Sequence, residues 1–147
     1  MSTSRDVRVE IYRSFIEDGR APTGADIARR LDVSTANVIA AFHRLHKDDV
    51  IALAPGTDLI WLAHPFCALD APFRVRSGSD RWDGICIWDA LGILGLLQRD
   101  GTVATACPDC GDGLTVEVRD GQLVGSEDLI AHYGVPAARW YEDVGHT

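Results

Sequence analysis

WDGICIWDALGILGLL, residues Trp82 to Leu97, sets a cysteine three positions before an aspartate inside an otherwise apolar run. The run is too short to cross a bilayer, which takes about 20 apolar residues. Ile85, Ile87 and Trp88 are β-branched or aromatic and suit a buried strand end, whereas Ala90, Leu91, Leu94 and Leu97 recur at helical spacing. The stretch therefore predicts a strand-to-helix junction near Cys86, with Asp89 in the first helical turn. Unpaired backbone N–H groups at a helix start favour anions, so the thiolate and the carboxylate are both stabilised there. The expected consequence is a Cys86 thiol titrating below the ordinary ~8.5. Taken alone, the same residues also suit a small core hydrophobe and a helix cap.

Around this stretch the chain has the composition of an ordinary globular protein. Its 147 residues are 46% hydrophobic and 24% charged, enough for one domain or two small ones. The N-terminal MSTSRDVRVE has no signal-like apolar core, and nothing downstream resembles a membrane span. A cytoplasmic protein with no membrane partner is the expectation. In that compartment Cys67, Cys86, Cys107 and Cys110 are expected as thiols or metal ligands. Residues 1–50 carry eight basic and eight acidic side chains, so the net charge of −8 falls entirely on residues 51–147. A nucleic-acid-binding protein usually presents a basic face, and none is evident.

Upstream, residues 5–18 place Val7, Ile11 and Phe15 on one helical face, and Gly19 ends it. Thr23 or Gly24 starts a second helix, GADIARRL, and Ser34 caps a third with Val38, Ala41, Phe42 and Leu45 facing inward. Residues 50–53 and 59–62 form two short strands around Ala54-Pro55-Gly56-Thr57. This is the order of a winged helix, and DIARRLDVSTANVIAAFHRLHKDDVI resembles the helix-turn-helix of bacterial regulators. Thr35, Asn37, His43, Arg44, His46 and Lys47 are its candidate DNA contacts, with Arg20, Arg29 and Arg30 for phosphates. Asp26, Asp32, Asp48 and Asp49 oppose them, so DNA is a possible partner that the charge does not favour.

Downstream of Leu62, two prolines make 63–72 an extended connector into a strand over Phe73–Arg76. Thr102–Ala106 and Leu114–Val118 read as strands flanking the knuckle Cys107-Pro108-Asp109-Cys110-Gly111, and Gln122–Gly125 pairs back after the Arg119-Asp120-Gly121 turn. Ser126–Tyr133 suits a short helix, and Val135–Tyr141 carries no clear pattern. The knuckle has the form of half a zinc ribbon. A structural zinc needs four ligands, and with no second pair none is expected. Gly-rich phosphate loops, paired catalytic carboxylates and serine triads are absent from the sequence.

HPF at His64–Phe66, an extended strand, WDGICIWDALGI, and a cysteine knuckle 21 residues beyond Cys86 together resemble the alkylmercury lyase (organomercurial lyase) family over most of residues 60–145. The resemblance implies an α+β fold: a winged-helix-like unit, residues 1–62, packed with a mixed α/β lyase-like unit, residues 63–147. It also implies that Cys86 binds mercury as a thiolate and that Asp89 delivers a proton to the carbon leaving the metal. Cys107 is implied to be structural. No resident cofactor is implied, mercury being substrate and product. The chemistry is sensible, since thiolates prefer soft metals and a carboxylic acid protonates a leaving carbanion. The family's second catalytic cysteine falls after a segment like ARWYEDVGHT, residues 138–147, and no cysteine follows Cys110. Three readings stay open: a member incomplete at its C-terminal end, substitute thiols from Cys67, Cys107 or Cys110, or loss of lyase chemistry. The rivals from other classes are a metal- or thiol-responsive regulator and a non-catalytic mercury-binding protein.

Overall fold

The computed structural model describes residues 4–142, and its contacts divide the chain into two compact units, residues 1–69 and 70–147. In the first, α1 (Ser4–Asp18), α2 (Gly24–Leu31) and α3 (Thr35–Lys47) precede a three-stranded antiparallel ribbon of β1 (Ala52–Leu53), β2 (Ile60–Ala63) and β3 (Phe66–Cys67). The helices pack through the apolar stripes expected of them: Val7, Ile11 and Phe15 from α1, and Val38, Ala41, Phe42 and Leu45 from α3, are buried. Phe66 of β3 stacks on Phe15, with ring centroids 5.5 Å apart. β3 lies inside the segment read from sequence as a connector. Two residues are too few to show a strand's alternation.

Charge also enters this core. Glu10 is buried on α1, paired with Arg13 one turn on and facing Arg30 of α2 at 3.7 Å. Arg30 donates in addition to Ser14 at 2.8 Å and pairs with Asp18 at 2.9 Å. One arginine thus engages three groups of α1, two by hydrogen bonds and Glu10 by charge alone, and holds α2 against it.

The second unit is an antiparallel sheet in the order β5-β4-β6-β7-β8, made of β4 (Phe73–Ser77), β5 (Asp80–Gly84), β6 (Gly101–Ala106), β7 (Gly113–Arg119) and β8 (Gln122–Val124). Register aligns Trp82 with Val75, Val75 with Val103 and Val103 with Val116, so one buried row crosses four strands. α4 (Ile87–Leu97) packs against β4, β5 and β6, and it buries Ala90, Ile93 and Leu94. The fold is α+β. Among the described residues no helix is long and apolar enough to cross a membrane.

Two details differ from expectation. β5 ends at Gly84, so Ile87 and Trp88 belong to the first turn of α4, and Trp88 is 69% exposed, not part of a buried strand end. Residues 126–133 form a single turn at 127–128 and otherwise irregular chain instead of a helix. Ile130 there is 91% exposed, and so short a helix without a buried apolar face does not offset its nucleation cost.

Thr23 caps α2 through a reciprocal box: its hydroxyl accepts from Asp26 N–H at 3.2 Å, and Asp26 accepts from Thr23 N–H at 3.0 Å. The Thr23 hydroxyl and backbone N–H, with Arg29 beside them, hold the Asp26 carboxyl down at about 2. A depressed carboxylate contributes stability that is complete above its unfolded value and lost as pH falls toward that figure. Urea denaturation should show Thr23→Ala less stable by about 1 kcal/mol at neutral pH. The gap between the variant and the unsubstituted chain should narrow as the solution is acidified through the carboxylate range.

Candidate active site

The sharp turn from β5 into α4 comes from close packing. A Cβ on Gly84 would lie 2.7 Å from Ala90 N, so only glycine lets the strand end meet the helix start. The chain reverses through Ile85 and Cys86, which is extended (φ −141°, ψ 172°) and is the N-cap of α4. Ala90 N–H donates to Cys86 O at 3.0 Å, and Asp89 N–H donates to the Cys86 sulfur at 3.4 Å. A cysteine thus fills the place usually taken by serine or aspartate.

Asp89 projects from the same turn and is 8% exposed. Its carboxylate is a hydrogen-bond acceptor for the Cys86 thiol. Burial pushes the thiol above its usual range. The N–H groups of Asp89 and Trp88 pull it down, while the carboxylate's charge and hydrogen bond push it further up. The lowering expected from the helix start is therefore overturned: with burial and an adjacent anion outweighing the helix donors, the resting thiol keeps its proton at neutral pH.

A third group is Tyr133, which the sequence reading did not single out. Burial raises its hydroxyl's pKa, electrostatic interaction with Cys86 and Asp89 raises it further, and the backbone N–H of Trp88 donates to its oxygen and opposes the rise. Tyr133 stacks at a tilt on Trp140, centroids 5.3 Å apart, and Trp140 donates to Val135 O at 3.0 Å. With Trp88, Val135 and Pro136 they line a groove of about 780 Å³. The groove is mainly apolar, and its lining includes Trp88, the residue before Asp89. Its only advance signal was two aromatics in a Gly/Pro-containing segment that continues into a 3-10 helix, Ala137–Glu142.

The other cysteines lie elsewhere. Cys67 is in β3 of the first unit, its sulfur accepting from Leu69 N–H at 3.3 Å. Cys107 and Cys110 occupy the β6–β7 turn, where the N–H groups of Cys110 and Asp109 and the Cys110 thiol hold the Cys107 thiol below its usual range. Phe73 pairs with Gly84 and Arg74 with Ala104, so Cys86 and the knuckle leave the same end of the sheet. The candidate DNA contacts are largely engaged within the first unit. Arg29 pairs with Asp26 at 2.8 Å, His43 with Asp58 at 2.8 Å, and Arg44 donates to Ser4 at 3.1 Å.

The family model for alkylmercury lyase (MerB) matches residues 66–146. No curated protein matches. Among solved structures, the mercury-bound form of MerB2 is similar, with a TM-score of 0.62 and 22% identity. The alignment covers 80% of this chain and 58% of that one, so the chain spans little over half of that protein's length; the likeness is one of fold.

The thiol–carboxylate contact has a measurable signature. Alkylation of the Cys86 peptide, followed by mass spectrometry across a pH series, should give a midpoint above that of an unstructured cysteine. Asp89→Asn removes the neighbouring charge, so its midpoint should move to lower pH; an unchanged midpoint would mean that the carboxylate does not act on the sulfur.

Proposed function

The chain belongs to the alkylmercury lyase family, and we propose that its second unit binds organomercury compounds through Cys86 and protonates their carbon with Asp89. The observation that carries this reading is the capping of α4 by the Cys86 sulfur, which accepts from Asp89 N–H at 3.4 Å and so shares one helical turn with the buried Asp89 carboxyl group. A soft metal ion displaces a thiol proton readily, because the metal–sulfur bond formed is strong. The proton passes to the Asp89 carboxylate, leaving mercury bound to sulfur and a carboxylic acid beside it. The carbon–mercury bond then breaks with its electron pair on carbon, which takes the Asp89 proton and leaves as hydrocarbon. Mercury(II) stays on the Cys86 sulfur and takes a second thiolate to complete its coordination. A resting thiol, unlike a resting thiolate, brings the needed proton into the site with it.

The groove of Trp88, Tyr133 and Trp140 is proposed to hold the organic group, and its apolar lining suits aryl or alkyl substituents. Tyr133, held by the Trp88 backbone N–H, is proposed to flank the pair. The first unit is proposed to be winged-helix-like, with its ribbon as the wing, and not to act on DNA.

The two roles separate in variants. In a chain whose Cys107 and Cys110 are replaced by serine, Cys86→Ser should lose both retention of an arylmercurial after desalting and release of the arene. Asp89→Asn should retain the mercurial while arene release falls by about 10²-fold or more, the usual worth of a positioned acid. Full arene release by Asp89→Asn would remove the carboxylate from the mechanism. The assay contains a low-molecular-weight thiol to supply the second ligand, so release should rise with its concentration.

For the first unit, fluorescence anisotropy at about 50 mM salt, where phosphate contacts are strongest, should show no sequence-specific complex. Saturable binding tighter than roughly 10⁻⁷ M would instead support the regulator reading.

A further inference from the structure

The β6–β7 turn holds two sulfurs that the chemistry above leaves unused. Cys107 N–H donates to Asp112 O at 2.8 Å and Gly111 N–H to Cys107 O at 2.9 Å, so backbone bonds close the loop before β7 begins. Gly111 takes a left-handed conformation (φ +78°) that favours glycine and completes the reversal. Within this frame the N–H groups of Asp109 and Cys110 point at the Cys107 sulfur, and the Cys110 thiol is in hydrogen-bonding contact with it. Cys107 is half-buried and Cys110 exposed, and both are thiols.

This arrangement does not fit the structural role that the family resemblance implies for Cys107. A cysteine kept for packing is buried, and one kept as a cross-link is oxidised. The knuckle pair does neither. It offers two adjacent soft donors on a turn fixed by the sheet, open to solvent, with backbone N–H groups ready to stabilise sulfur anion. The ion it suits is one content with two ligands. Among the described residues no group of three or more His, Cys, Asp or Glu side chains is placed to hold a metal, whereas structural zinc takes four ligands.

We propose that Cys107 and Cys110 form a second soft-metal site, holding mercury(II) or a like d10 cation as a two-coordinate bis-thiolate. Binding forms two metal–sulfur bonds and releases two protons, with no change of oxidation state. The exposed Cys110 side chain rotates to open the pair around the ion. The site does not depend on Cys86 and takes the bare cation, having no acid beside it to cleave a carbon bond.

The test uses the full chain, reduced and desalted under nitrogen, then given mercury(II) chloride with excess glutathione. Two sulfurs in one turn compete against a monothiol through their high effective concentration, whereas a single sulfur does not. Cys86→Ser should retain about one equivalent of mercury through desalting, with sulfur-to-mercury charge-transfer absorption in the ultraviolet. Cys86→Ser combined with Cys107→Ser, or with Cys110→Ser, should retain less than about a tenth of that while keeping its far-ultraviolet circular dichroism. The proposal is overturned if Cys86→Ser retains no mercury or lacks the absorption. It is equally overturned if the combined variants retain mercury as Cys86→Ser does. The absorption of Cys86→Ser decides the matter even if a knuckle variant fails to fold.

Discussion

Between Gly84 and Ala90 the strand and the helix come so close that no side chain fits between them. That exclusion governs the second unit. The hydrogen-bonded register of β5 with β4 runs to Gly84 and no further, so the turn must be completed by Ile85 and Cys86 before α4 begins. Cys86 is then the residue whose carbonyl opens the helix and whose side chain caps it. The position of the sulfur is a corollary of backbone packing, supported by α4, with its buried Ala90, Ile93 and Leu94, lying against β4, β5 and β6. A site on such a junction has little freedom to drift, and chemistry that depends on contact between two side chains requires that.

The electrostatic outcome at the junction follows from relative magnitudes. A helix start favours a nearby anion by about 0.3–1 kcal/mol, less than the 1.36 kcal/mol that moves a pKa by one unit. Burial of an ionisable group, reinforced by a carboxylate at contact distance, acts in the opposite direction and more strongly. The helix therefore places the thiol without ionising it. At the knuckle the balance reverses: the backbone donors acting on the Cys107 sulfur outweigh the effect of its burial. Two cysteine sites on one sheet end are thus shifted in opposite directions, Cys86 upward by burial and its carboxylate neighbour, Cys107 downward by the hydrogen-bond donors around it.

Much of this was legible in the residues. Helical periodicity and capping chemistry located α1, α2 and α3 with their buried faces, because Val7, Ile11, Phe15, Val38, Phe42 and Leu45 obey one period and Thr23 and Ser34 are cap residues. The Cys86–Asp89 spacing placed both groups in one turn of helix. The direction of the Cys86 shift was not legible, since burial at that point is a property of the assembled sheet and not of the local sequence. Tyr133 was missed for a related reason. Its segment has no regular period, and the aromatic meets Cys86 and Asp89 only because the chain after β8 returns to the start of α4. β3, two residues long, fell below any pattern.

The proton retained by Cys86 has a bearing on survival in an oxidising or thiol-rich setting. Peroxides and disulfides are attacked by thiolate, and their rates fall with the fraction ionised. A half-buried, protonated sulfur is a slow partner for both, so it is spared sulfenic acid formation and mixed disulfides. A soft metal forms so strong a bond to sulfur that it displaces the proton, and it is not turned away in the same manner. Keeping the proton therefore acts as a chemical filter. It excludes reactants that need a ready-made anion and admits those that make their own, and the neighbouring Asp89 carboxylate maintains that filter.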